Sequence, residues 1–339
     1  MSGKTERLET GGVTGAAGTR RAAELLRSGA TVAFPTETVY GLGANALDAE
    51  AVAKIFAAKE RPAWDPLIVH VADRAMLEQV VDSSMVDTVA DELMLAFWPG
   101  ALTLLLPRAP ELPKAVTAGR ALVGVRIPQH PIARELIRLA GVPVAAPSAN
   151  RFGRTSPTTA AHVLQDLDGR IDALLDGGAA TVGVESTVFD VASRTIYRPG
   201  AVTAANLIEI IGEPVHLARS SPAQEQEPPE SSPSPGMGQR HYAPAARLVL
   251  VDNRKAFEEE VAKHPAAEVG VMLPDDWDPG HAAEAFRWGP WDRPDTLARL
   301  LYLGLRFLDQ RAVKVIVCPV PPPAGIGQAL RDRLTRAAR

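Results

Sequence analysis

The sequence predicts an α/β protein of two domains. Three observations carry that expectation. The chain is 339 residues long, enough for two ordinary cores. Short apolar runs alternate with segments of helical apolar spacing along most of it. One stretch, Ala218 to Pro235, holds five prolines and no large apolar residue apart from its neighbours, so it cannot bury enough surface to offset the entropy of ordering. It reads as a flexible or polyproline-like linker.

Taken in order, residues 1–18 are rich in Gly, Thr, Ser and Ala and are expected to fray. Thr19 can cap a helix through Ser28, with Gly29 ending it. The run Thr31 to Phe34 is a buried strand stopped by Pro35. Asp48 is an N-cap candidate for a helix with Val52, Ile55 and Phe56 on one face. Further strands are expected at Leu67 to Val71, Leu102 to Leu106, Val123 to Ile127, Val142 to Ala146, Ser186 to Val191 and Thr195 to Tyr197. Helices are expected near 84–97, 131–140, 159–167 and 203–211. These elements make a mixed α/β domain over residues 19–215. The linker occupies 216–246. Beyond it, Leu248 to Val251, Val269 to Met272 and Val313 to Val317 are β-branched strands separated by helices at Thr296 to Gln310 and Gly327 to Ala338. That order implies a small parallel, Rossmann-like sheet over 247–339.

Composition narrows the function. The apolar fraction is 46% and the charged fraction 22%, which excludes a disordered or fibrous chain. A net charge of −4 argues against binding nucleic acid through bulk electrostatics. Between Trp98 and Arg154, however, eight basic residues face only Glu111 and Glu135. This local excess suits a phosphate-bearing ligand, or a solvated basic face, and charge alone does not separate the two. The single cysteine, Cys318, lies in an apolar run and reads as a small buried hydrophobe. With no signal sequence and no apolar run of roughly 20 residues, a cytoplasmic protein with no membrane association is expected.

Three polar clusters each follow an apolar strand: residues 35–43 (PTETVYGLG), Arg126 to His130, and Pro147 to Asn150. Ligands of open α/β sheets sit at the carboxyl ends of strands, so hydroxyls, an amide and a guanidinium gathered there suit a small polar ligand and a phosphate. Ordinary turn chemistry explains any one cluster alone. Lys59 and Arg61 end the helix that starts at Asp48 and can converge on one anion, although helix C-termini favour cations in any case. His70 closes the strand Leu67 to Val71. No Gly-x-x-x-x-Gly-Lys-Ser/Thr loop, dinucleotide fingerprint, Gly-x-Ser-x-Gly elbow or clustered metal-ligand set occurs.

In their order and spacing these pieces resemble the YrdC-like threonylcarbamoyl-AMP synthases: PTETVYGLG at 35–43, KERP at 59–62, PLIVH at 66–70, GVRIPQHP at 124–131, APSAN at 146–150, ESTVFD at 185–190 and YRPG at 197–200. HYAP at 241–244, after the proline-rich stretch, resembles the longer two-domain form. The resemblance implies a twisted mixed sheet with helices, followed by the small Rossmann-like domain. It also implies a reaction: L-threonine, bicarbonate and ATP, with Mg²⁺ on the phosphates rather than on protein ligands, give threonylcarbamoyl-adenylate and pyrophosphate. A threonylcarbamoyl transferase machinery would accept that product to modify an adenosine of tRNA, with at most a weak tRNA contact by the synthase itself.

The resemblance places Lys59, Arg61, Asp65, Ser148, Asn150, Arg198 and Tyr242 around the nucleotide, with Lys59 and Arg61 as the catalytic pair. Thr36, Thr38, His70, Arg126 and Ser186 would surround threonine and its carbamate. The linker would serve as a lid. Asp65 stands where the family often has Asn; an acid there would either weaken nucleotide affinity or help hold Mg²⁺. Gly238-Gln239-Arg240 also depart from the family pattern. Two competing readings remain at this level: a tRNA-binding module using the basic segment, and a paralogue with the same fold and a different substrate.

Overall fold

The structure, a computed structural model, describes residues 4–10, 15–218, 233–235 and 241–339. The linker expected at 216–246 therefore lies largely outside the described residues, as does the departure at Gly238-Gln239-Arg240. The chain divides into two compact units: residues 1–152, 157–180 and 185–238 form the first, and residues 153–156, 181–184 and 239–339 the second.

The first unit contains, in chain order, β1 (Glu6–Glu9), α1 (Gly15–Arg27), β2 (Val32–Phe34), β3 (Gly41–Asn45), α2 (Ala49–Lys59), β4 (Ile68–His70), α3 (Arg74–Leu77), α4 (Thr88–Phe97), β5 (Leu102–Pro107), β6 (Leu122–Arg126), α5 (Pro131–Ala140), β7 (Val144–Ala145), α6 (Ala160–Leu167), β8 (Ala173–Asp176), β9 (Thr187–Asp190), β10 (Thr195–Arg198), α7 (Ala204–Ile211) and β11 (His216–Leu217). Its strands make one mixed sheet in the order β1-β8-β2-β3-β7-β4-β6-β5-β9-β10-β11. The Asp48 cap is the one the sequence points to, and two further helices carry side-chain caps. Asp48 accepts from the amides of Glu50 and Ala51, Thr159 from His162, and Thr203 forms a capping box with Asn206. Apolar faces of α1, α2, α4, α5 and α6 bury Leu26, Ile55, Leu93, Ile137 and Val163 against strand residues such as Phe34, Leu42 and Leu104. Each fully buried aliphatic side chain of this kind contributes about 2 kcal/mol.

Two expectations need correcting. Glu6–Glu9, inside the segment expected to fray, pair in parallel with β8, and α1 starts at Gly15 rather than Thr19. The second concerns residues 41–45, which read as loop and are strand β3. The glycines that hide the strand are what allow it. A Cβ on Gly43 would lie 2.7 Å from Phe34 Cε1 and 2.8 Å from Val144 Cγ1, so only a bare backbone fits between β2 and β7.

The second unit holds β12 (Arg247–Val251), α8 (Arg254–Val261), β13 (Val269–Pro274), β14 (Glu284–Gly289), α9 (Pro294–Gln310), β15 (Val315–Pro319) and α10 (Gly327–Ala337). Its sheet, in the order β12-β15-β13-β14, is parallel throughout, as the alternation of strands and helices predicts. Cys318 is fully buried there, as the apolar run around it suggests, and burial pushes its thiol pKa up. Trp288, also fully buried, donates its indole N–H to Leu297 O at 2.7 Å.

Two short pieces from earlier in the chain pack within this unit. Ala243 N donates to Gly153 O at 2.9 Å, and Arg306 Nη2 to Thr155 O at 2.5 Å. Gly183, at φ +87°, lies against α9: a Cβ there would sit 2.4 Å from Ala298 O and 2.4 Å from Arg299 Cα. Gly183→Ala adds a left-handed strain to a backbone clash and is expected to destabilise the second unit by about 3 kcal/mol. Chemical denaturation would show it, and a midpoint equal to wild type would refute it. No helix among the described residues is long and apolar enough to cross a membrane.

Candidate active site

Strand polarity frames the site. β2 pairs antiparallel with β3, β3 with β7, and β7 with β4, while β4 and β6 are parallel. β2 and β7 therefore run one way and β4 and β6 the other. The three polar clusters do not leave one common edge of the sheet, as their position after strands suggests. Residues 35–40 instead fold back to meet the ends of β4 and β6.

A hydroxyl makes that fold-back. Thr36 Oγ1 donates to Val39 O at 2.6 Å and accepts from the amides of Thr38 and Val39, a side-chain copy of a backbone turn. Thr36 and Thr38 hydroxyls then lie 2.8 Å apart and both meet Arg126, whose Nη2 donates to them at 3.2 and 3.0 Å. Arg126 Nη1 donates to Glu37 Oε1 at 2.7 Å, and Arg126 Nε to His70 Nε2 at 2.9 Å. All five residues are buried.

Arginine can only donate, so His70 Nε2 is the acceptor and its ring proton resides on Nδ1. Burial, and then the like charge of Arg126, hold the His70 imidazole well below its ordinary 6.5. The native form is thus neutral. Its contribution to stability is complete above pH 6.5 and is lost as the pH falls from there toward the depressed folded value. Unfolding midpoints between about pH 8 and about pH 5 are expected to drop on the acid side, and less steeply in His70→Gln. Identical profiles for the two proteins would reject this.

Ser186 and Arg198 form a second group. Arg198 Nε donates to Ser186 O at 3.1 Å and Nη2 to Ser186 Oγ at 3.1 Å, while Ser186 Oγ also meets Thr103 Oγ1 at 2.8 Å. Arg198 Nη1 reaches Pro235 O, in the described fragment of the linker, at 3.4 Å. The two groups share a field: burial lowers the Arg126 pKa, Glu37 opposes that, and the positive charge of Arg198 lowers it further.

The third group surrounds the end of α2. Glu60 caps the helix in the left-handed region, at φ 55°, and turns the chain so that Arg61 N bonds Phe56 O at 3.0 Å. Lys59, 1% exposed, donates its ammonium to the carbonyls of Ser148 and Asn150. Phe152 N returns a bond to Lys59 O at 2.9 Å. Burial, then the like charge of Arg61, lower the Lys59 pKa well below its ordinary value, against the attraction of Asp65 and Asp166. Arg61 Nη2 pairs with Asp65 Oδ2 at 3.0 Å and donates to Pro66 O at 2.6 Å, with Nε on Asp65 O at 3.0 Å. Asp65 is therefore the counter-ion of Arg61. β3 links this group to the first, since Gly41 bridges Ser148 and Ala149 N bonds Tyr40 O at 2.8 Å.

Of the residues singled out in the sequence, Thr36, Thr38, His70 and Arg126 thus meet directly, Ser186 meets Arg198, and Lys59 meets Ser148 and Asn150. Tyr242 lies in the second unit, its ring 6.0 Å from that of Tyr302 and 5.0 Å from the Arg333 guanidinium carbon. Glu37 was missed. It sits inside the 35–43 motif, where the flanking threonines and glycines read as turn chemistry; the one available signal was an acid in an otherwise uncharged segment.

Four buried cations, two of them paired with carboxylates, set among hydroxyls on a mixed α/β sheet make a site suited to anionic ligands. A family model described as telomere recombination, covering Sua5, YciO and YrdC, matches residues 24–200, and one described as threonylcarbamoyl-AMP synthase, C-terminal domain, matches residues 202–339. The threonylcarbamoyl-AMP synthase of Pyrococcus abyssi is 42% identical, covering 94% of this chain and 93% of its own length; that of Bacillus subtilis is 42% identical, covering 94% and 92%. The crystal structure of P. abyssi Sua5 complexed with L-threonine superposes with a TM-score of 0.89 at 40% identity, over 98% of this chain and 97% of that one. The chain belongs to the Sua5/YrdC family in its two-domain, threonylcarbamoyl-AMP synthase form.

Proposed function

We propose that this protein is a threonylcarbamoyl-AMP synthase, which condenses L-threonine, bicarbonate-derived CO₂ and ATP into L-threonylcarbamoyladenylate and pyrophosphate for tRNA threonylcarbamoyladenosine modification. The observation that carries the reading is 42% identity with two proteins of that name across 94% of the chain.

The chemistry fits the residues present. The carboxylated amine of threonine attacks the α-phosphorus of ATP and pyrophosphate leaves, so two anions must be held together. Positive side chains in a buried setting offset that repulsion and stabilise the in-line transition state. In this reading Lys59, Arg61, Ser148 and Asn150 face the nucleotide. Thr36, Thr38, His70, Arg126 and Ser186 face threonine and its carbamate, with Arg198 on the adenylate. Two buried carboxylates of the site, Glu37 and Asp65, are paired with Arg126 and Arg61. Engaged in this way they do not suit a protein-held metal, so Mg²⁺ would arrive on the triphosphate. A cytoplasmic setting and hand-over to a transferase belong to the same reading.

Pyrophosphate release from ATP should require both threonine and bicarbonate, and mass analysis should find the threonylcarbamoyl adduct of AMP. Release that proceeds equally without threonine would overturn the assignment. A tRNA-binding module using the basic segment between Trp98 and Arg154 is the second reading, since of its eight basic residues Arg126 alone is buried; a salt titration of tRNA binding, with a steep slope and no turnover, would favour it.

A further inference from the structure

Arg126 has five N–H donors, and four of them are engaged within the protein. Nε–H goes to His70, both hydrogens of Nη2 to the Thr36 and Thr38 hydroxyls, and one hydrogen of Nη1 to Glu37. One Nη1–H is left. Glu37 is fixed in turn at its other oxygen: Oε2 accepts from Gln129 N at 3.0 Å and His130 N at 3.4 Å, the amides just before α5. Both ends of this carboxylate are thus bonded, and its side chain is only 4% exposed.

The other cations of the site divide the same way. Arg61 has its own carboxylate, Asp65. Lys59 and Arg198, in contrast, are held by backbone carbonyls and a hydroxyl. The site therefore holds two arginines paired with carboxylates, Arg126 and Arg61, and two cations, Lys59 and Arg198, bonded among the described residues to carbonyls and a hydroxyl.

We propose that Glu37 is a positioning residue for the synthase reaction: it fixes Arg126 so that a single Nη1–H is offered to the threonine-derived substrate, and it cancels that arginine's charge, leaving Arg198 and Lys59 to supply the field that acts on the reacting anions. This rests on the synthase reading above. Its consequence is a one-bond contact from Arg126 rather than the bidentate grip an unpaired arginine makes on a carboxylate. Arg126 sets where the substrate lies; Arg198 and Lys59 act on its charge.

Glu37→Gln is the direct test. The amide keeps one acceptor for Arg126 but sets a donor against the Gln129 and His130 amides, and it leaves the guanidinium charge uncancelled. In the variant, the threonine KM is expected to rise about tenfold, while the ATP KM changes less than about threefold. In the substrate-free protein, the Arg126 Nε–H resonance should exchange with water slowly in wild type and quickly in the variant. Arg126→Lys should give the same split between the two KM values, and the double variant should be no worse than the poorer single one. An unchanged threonine KM, or equal protection of Nε–H in both proteins, overturns the proposal. So does a parallel rise of both KM values with a lower unfolding midpoint, which marks a general structural role. If wild type shows no threonine-dependent turnover, the functional reading falls, and the substrate-free resonance still decides the role of Glu37.

Discussion

Lys59→Ala lowers threonine-dependent pyrophosphate release by roughly a thousandfold, the largest loss expected of any single substitution in this protein. Two effects combine. The ammonium clamps the carbonyls of Ser148 and Asn150, so its removal strands two buried acceptors and frees the loop that carries both residues. It also removes a positive charge that, among the described residues, is bonded to carbonyls rather than to a carboxylate, in a setting where burial makes each charge count. Lys59→Arg does not rescue, because a planar fork cannot occupy a slot shaped for a point donor and 1% exposed. Stopped assays of pyrophosphate with threonine present and absent measure the loss; activity within about threefold of wild type would contradict it.

Arg198→Ala is expected to lower kcat about a hundredfold, with unfolding free energy down by about 2 kcal/mol. The guanidinium braces Ser186 through both its carbonyl and its hydroxyl, and through Ser186 the Thr103 hydroxyl of β5. Arg198→Lys restores the charge without the fork, so it should recover part of kcat and little of the bracing. Steady-state kinetics and denaturant titration on both variants separate the two contributions. Equal kcat for the Lys and Ala variants would show that the charge is not what matters.

Much of the fold was legible in the sequence because the signals are local. Asp48 caps the helix expected of it, helices form at 160–167 and 204–211 where they are expected, and the helix at 131–140 has the expected bounds. What was not legible depends on partners far along the chain. β3 hides because its glycines have low strand propensity on their own and make sense only beside Phe34 and Val144. The opposite directions of β7 and β4 follow from pairings no local pattern encodes. The site shows the same division. Arg126 could be picked out beside a strand end, but its pairing with Glu37 joins residues 89 positions apart. Asp65, a departure whose partner the sequence does not name, pairs with Arg61, four residues earlier, at 3.0 Å.

The pinning of Arg126, Lys59 and Arg198 by the protein's own oxygens and imidazole has a thermodynamic corollary. Long cationic side chains on a surface surrender up to roughly 2 kcal/mol of rotamer freedom each when they grasp a ligand. Here that freedom disappears as the chain folds, before any substrate arrives. Association should therefore carry little penalty from side-chain freezing, and calorimetry of threonine and nucleotide binding should find heats dominated by contact and desolvation rather than by the ordering of the receptor.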